Sequence, residues 1–106
     1  MIARVWRGWT TAENADKYET LLKQEIFKGI AEKQISGYLG IQLLRRSLPT
    51  SEVEFMTVMR FESLEAVKAF AGEDFEQACV PAKARAVLAR FDDRSAHYEI
   101  KAQIAY

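Results

Sequence analysis

His97 is the only histidine in the chain. An imidazole titrates near pH 6.5 and can take a proton from a weakly acidic group such as a phenol, which makes His97 the candidate catalytic base. The competing reading is a histidine near the end of a strand, packed or hydrogen-bonded at an interface. Trp6 and Trp9 are candidates for the wall of a pocket that holds a flat ligand, with Tyr18 and Tyr38 behind them. Aromatics at strand spacing also serve as core or dimer-interface residues. Arg60 alternates with Val58 and Met56. An arginine on a partly buried sheet face needs an anionic partner: Glu54, a residue of a second subunit, or a ligand. Arg7 raises the same question. Trp6, Trp9 and Arg60 are therefore the candidate substrate-binding residues.

Other chemistries lack their residues. One histidine and one cysteine, Cys79, exclude a multi-histidine site and a thiolate cluster, and no carboxylates stand at metal-ligand spacing. No metal is expected. Cys79 reads as a small buried hydrophobe, because a nucleophilic thiol needs a base nearby and no local pattern supplies one. Asn14, the sole asparagine, reads as a solvated first-turn residue. No glycine-rich phosphate loop or nucleophile elbow is present, so no nucleotide is expected.

The elements that must position these residues follow from hydrophobic spacing. Glu52 to Phe61 reads as a strand, rich in β-branched and aromatic residues. Alternate residues Val53, Phe55, Thr57, Met59 and Phe61 form one face, and Glu54, Met56, Val58 and Arg60 the other. Neither face is plainly polar, so the strand is expected at the centre of its sheet with cover on both sides. Ile2 to Trp9 predicts a first strand of the same mixed kind. Thr10 with Glu13 predicts a capping box that opens an amphipathic helix to about Lys33, its apolar stripe carrying Ala15, Tyr18, Leu22, Ile26, Gly29 and Ile30. Gly37 to Arg45 predicts a second strand, joined by the turn Ser47–Ser51 to the strand that starts at Glu52, so the two form an antiparallel hairpin. Ser63 caps a second helix that Gly72 ends. A turn at Asp74–Ala78 follows. Pro81 opens a short helix from Ala82 to Arg90, anchored by Val87, Leu88 and Phe91. Ser95 to Ile100 is the last strand, and Ala102–Tyr106 a short apolar tail.

Strand, helix, strand, strand, helix, strand is the ferredoxin-like βαββαβ order, an α+β fold with a four-stranded antiparallel sheet. Right-handed crossovers put both helices on one face and the first and third strands in the middle. The uncovered face then needs a partner, and a second copy of the chain is the simplest one, so a homodimer is expected.

At 106 residues, with a formal net charge of zero, the chain reads as a single domain with a core over residues 2–101 and a tail at 102–106. The absence of a basic excess argues against nucleic acid. Arginines interrupt the N-terminus before a signal-peptide core could form, and the apolar runs fall far short of the roughly 20 residues that a membrane span needs. With a single cysteine, a reducing compartment and a cytoplasmic location are expected.

The segment Phe61-Glu62-Ser63-Leu64-Glu65-Ala66-Val67-Lys68-Ala69-Phe70 resembles the strand-to-helix junction of the antibiotic biosynthesis monooxygenase (ABM) domain family, and Gly37-Tyr38-Leu39-Gly40 resembles the start of that family's second strand. The resemblance runs from Ile2 to about Lys101 and rests on packing and turn residues. It implies a dimeric α+β barrel with a pocket between each sheet and its helices. The activities it implies are cofactor-free oxidation of polycyclic phenols to quinones and, in other members, haem degradation. In the first of these the deprotonated substrate itself reduces dioxygen, and the protein supplies a base, a dry cavity and alignment. Some members carry tryptophan where this chain has Phe61 and histidine where it has Phe70. Haem-degrading relatives use an asparagine in the first strand, a tryptophan and an iron-ligating histidine on the second helix; here the second helix has no histidine. The expectation is a cofactor-independent monooxygenase for a small aromatic or quinol-like substrate. The alternative is a non-catalytic small-molecule-binding or stress-associated protein of the same fold.

Overall fold

The computed structural model describes residues 1–106. Strand β1 (Ile2–Thr11) leads into helix α1 (Ala12–Leu21), which continues through a π-helical turn, Leu22–Ile26, into α2 (Phe27–Glu32). The hairpin strands β2 (Tyr38–Ser47) and β3 (Glu52–Phe61) follow, then α3 (Leu64–Ala71), the single turn α4 (Ala82–Arg85), and two short strands, β4 (Arg90–Phe91) and β5 (Ala96–Glu99). The sheet runs β2-β3-β1 and is antiparallel throughout. β4 and β5 share the outer edge of β1, β4 opposite Gly8–Trp9 and β5 opposite Ile2–Val5. The first and third strands are thus central, and the fold is the ferredoxin-like α+β arrangement.

Burial follows the period-two reading. In β3 the odd positions from Val53 to Phe61 are buried under the helices, whereas Met56, Val58 and Arg60 on the other face are only half-buried. The core has two parts. Ala15, Tyr18, Leu22, Val53, Phe55, Val80 and Ala84 form one cluster, and Met59, Phe61, Ala66 and Val67 the other.

Three local expectations are corrected. The helix cap is Thr11, whose hydroxyl accepts from the Asn14 N–H at 3.2 Å, so Thr10 and Glu13 form no capping box. Thr10 is still in the strand, and its buried hydroxyl donates to the Val87 carbonyl. The helix expected over Ala82–Arg90 stops at Arg85. The free edge of β1 competes for its backbone: the Ala89 N–H donates to the Trp9 carbonyl at 2.7 Å and the Asp92 N–H to that of Arg7 at 2.9 Å. A strand edge with unpaired carbonyls outweighs the helix propensity of a few alanines. Cys79 is exposed, because the run from Gln77 to Pro81 crosses the molecule as irregular chain.

Two glycines are required by close approach. Gly37 has φ +84°, and a Cβ there would sit 2.7 Å from that of the buried Ala66, so only glycine lets β2 begin beneath α3. A Cβ on Gly8 would lie 2.9 Å from the Trp6 ring, so Gly8 leaves the space in which that indole lies.

Candidate functional site

Where the two core clusters meet, the sheet and the helices do not close completely. A cavity of about 80 Å3 remains, or about 560 Å3 with its mouth included. Its floor is Trp6, Ile41, Thr57 and Met59 on the sheet. Its roof is Tyr18, Leu22, Ile26, Phe27 and Ile30, with Phe70 and the Cys79–Pro81 run closing the sides. The π-helical turn supplies Leu22 and Ile26, and π-turns recur at functional sites because they re-aim side chains at little cost in hydrogen bonds.

The polar groups of this apolar chamber are few: Arg4, Thr57, Cys79 and Ser95. Arg4 is only 4% exposed. Its guanidinium donates to the Phe75 carbonyl, to the Gln77 carbonyl at 3.3 Å and to His97 Nε2 at 2.9 Å. No carboxylate pairs with it, although eight other basic side chains in the protein find acids; Arg45, for instance, meets Asp16 at 2.8 Å and Glu19 at 3.0 Å. Burial lowers the pKa of Arg4, and the neighbouring Cys79 opposes this. The guanidinium nonetheless stays a cation in any protein setting.

His97 lies on β5 opposite Arg4 in register, on the helix-covered side. A guanidinium only donates, so Nε2 accepts and the proton of the neutral ring is on Nδ1. That Nδ1 is buried without a partner. Phe75 stands edge-on to the ring at 5.2 Å. His97 is not among the cavity-lining residues; Arg4 stands between them. Its pKa is lowered, first by burial and then by the Arg4 charge, with Glu76 working the other way. An unfolded histidine titrates near 6.5. Below that pH the unfolded chain binds a proton that the folded chain refuses, so stability is complete above about pH 6.5 and falls as the pH drops through that value. Thermal melts of wild type between pH 7.5 and 5 should show this decline, and His97→Gln should flatten it. A decline of equal size in the variant would assign it to other groups.

The remaining candidates separate by strand parity. Trp6 faces the cavity and donates from Nε1 to the Asp92 carbonyl at 2.8 Å. Trp9 and Arg60 lie on the opposite face of the sheet. Trp9 is buried there beneath Arg90, 4.1 Å from its ring, and donates to Glu54 at 3.3 Å. Glu54 pairs with Arg46 at 3.0 Å rather than with Arg60, and its pKa is lowered chiefly by that hydrogen bond. Arg60 lines a shallow hollow with Ala3, Gln42, Val58 and the tail residues Ile100, Ala102 and Gln103. Tyr18 lines the cavity, and burial pushes its phenol pKa up, so it stays protonated. Tyr38 packs on Phe61 instead. Arg4 is not among the candidates that residue type and spacing give. The signal was its parity with Trp6, which puts it on the covered face of β1.

The architecture is an antiparallel sheet with helices on one face and an apolar chamber between the layers. The solved structures it resembles agree. A candidate antibiotic biosynthesis monooxygenase from Bacillus cereus superposes with a TM-score of 0.70 at 16% identity, over 100% of this chain and 96% of that one. The heme-degrader MhuD of Mycobacterium tuberculosis, with two hemes bound in its active site, gives 0.64 at 20% identity over 99% and 100%. A Streptomyces coelicolor monooxygenase in complex with nanaomycin D gives 0.61 at 14% over 99% and 91%. No family model matches the chain, and no curated protein matches it in sequence. The resemblance carried by Phe61–Phe70 and Gly37–Gly40 therefore holds for the fold, which is that of the ABM-type proteins. No helix is long and apolar enough to cross a membrane.

Proposed function

We propose that the protein is a cofactor-independent ABM-type monooxygenase for a small aromatic or quinol-like substrate. The observation that supports this most is the apolar chamber between sheet and helices, with Arg4 in its wall and His97 bonded to Arg4 from outside the lining. A chamber of this kind excludes water and strengthens any charge interaction made inside it. In this reading a ring lies against Trp6 and Phe70, and its hydroxyl proton passes to His97 once Arg4 turns away from Nε2. The phenolate gives one electron to dioxygen, and superoxide joins the ring carbon. The resulting hydroperoxide loses water as its O–O bond breaks and the ring carbon gives up its hydrogen. One substrate and one dioxygen yield one quinone and one water.

A second reading, a non-catalytic binding protein, draws on the placement of His97 outside the chamber with its lone pair held by Arg4. Oxygen uptake with a panel of anthrones and hydroquinones, wild type against His97→Ala, separates the two. Uptake lost in the variant supports the base. Equal uptake by both removes His97 from the mechanism, and saturable binding without uptake leaves the second reading. Haem does not fit these residues, since no histidine lines the chamber and the chain's one imidazole is engaged by Arg4. A haem titration should leave the Soret band of free haem unshifted.

The protein functions, in this reading, as a cytoplasmic homodimer built on the uncovered sheet face. Ala3, Val5, Met56 and Val58 are half-buried there, and Leu44 is 47% exposed. Trp9 and Arg60 belong to this face, and their contact with a substrate would come at the subunit seam.

A further inference from the structure

We infer that the chamber's ligand is an anion, a single-ring aromatic acid or similarly acidic aromatic compound, and that Arg4 is the residue that binds its charge. This rests on the reading of the chamber as the ligand site and adds the charge class that the ligand must have.

A charge taken out of water is costly unless it is paired, and buried arginines are ordinarily met by carboxylates. Arg4 is buried and unpaired by any acid, with two backbone carbonyls and a neutral imidazole as its only partners. Those groups hold the guanidinium in place and satisfy part of its donor fork, but they leave its full positive charge uncompensated. The cation also lines the chamber, whose other walls are almost wholly apolar. Among the polar lining residues, Thr57 and Ser95 are neutral, and no aspartate or glutamate lines the chamber. A carboxylate or acidic oxygen entering beside Trp6 and Phe70 would meet the one full charge there, in surroundings that weaken it little. Phe70 already lies against the guanidinium, which is 5.7 Å from its ring centre. An aromatic ring placed beside Phe70 therefore brings its acidic substituent to Arg4.

The size of the site selects a small ring. An apolar protein cavity of about 150 Å3 holds benzene. The enclosed space here is about 80 Å3, so one ring enters with a modest shift of the half-buried Ile26 and Phe27, its remainder in the mouth.

The test compares benzoate and salicylate with the neutral benzamide and benzyl alcohol at pH 7.5, by NMR titration of wild type, Arg4→Met and Arg4→Lys. The single histidine supplies an unambiguous probe. Wild type should bind the acids about tenfold or more tightly than the neutral compounds, the scale of a hydrogen bond to a charged group. Arg4→Met should abolish that preference while still binding the neutral rings, and Arg4→Lys should restore part of it. In wild type, the acids should raise the apparent pKa of His97 as they offset the Arg4 charge, and benzamide should not; Glu76 and Cys79 are the other titratable groups near this pair. This readout needs no variant, so it stands if Arg4→Met does not fold. Neutral rings that bind as tightly as the acids, or a preference that survives Arg4→Met, would overturn the anion assignment and leave the chamber as a ligand site. Failure of every compound to bind would overturn both.

Discussion

Alanine in place of Phe61 is expected to lower the free energy of unfolding by about 3–5 kcal/mol, the cost of deleting a buried aromatic and leaving its cavity. Phe61 has no exposed surface. Its ring lies 5.4 Å from that of Tyr38 and 5.7 Å from that of Phe70, and it packs with Met59, Ala66 and Val67. It therefore joins the end of β3, the start of β2 and the inner side of α3. A domain of this size has a total stability of roughly 5–15 kcal/mol, so the variant retains at best a small margin. Guanidinium denaturation of wild type, Phe61→Leu and Phe61→Ala checks this, with the leucine variant intermediate. A loss below about 1 kcal/mol, the range of ordinary surface changes and mild swaps, would show that the α3 cluster is not part of the cooperative core. Phe70 lines the chamber and leans on Phe61, so the leucine variant should also weaken aromatic ligand binding.

Aspartate in place of Val58 is expected to convert the proposed dimer to monomer. Val58 pairs with Val5 across β1 and β3 on the face that no helix covers. In a single subunit the new carboxylate meets water and costs little. Where two copies of this face meet, it is removed from water without a cation, at a cost of several kcal/mol per charge. Each subunit of a twofold dimer would carry one such group, so the loss is doubled. Sedimentation at micromolar concentration should show a dimer for wild type and a folded monomer for Val58→Asp. A wild-type monomer, or a variant that stays dimeric, would contradict the use of this face. Glu54, also on this face, is not a counterexample, because it is neutralised within the subunit by Arg46 at 3.0 Å.

Much of the fold was legible because its signals are local. The strand Glu52–Phe61 has the limits that its composition predicts. Ser63 caps α3, its hydroxyl accepting from the Ala66 N–H at 3.3 Å, and Gly72 follows the last residue of that helix. Where local and long-range demands differed, the long-range ones prevailed. Thr10 bonds the Val87 carbonyl instead of capping the helix, and Ala89 bonds the edge of β1 instead of extending its helix.

The sequence by itself determined the order of elements, the two-sided character of the central strands and the poverty of ionisable groups suited to chemistry. That much follows from spacing, because periods of 2.0 and 3.6 are written along the chain. Only the tertiary structure decided which face each strand turned to the helices. Once β1 was paired, Arg4 and Trp6 went beneath them, and Trp9 went to the open side with Arg60. It also brought His97 to Arg4 across 93 positions of sequence. No local pattern encodes such a contact. It arises because β5 pairs with β1 in one register, and that register places a buried cation beside an imidazole and two carbonyls with no carboxylate bonded to it.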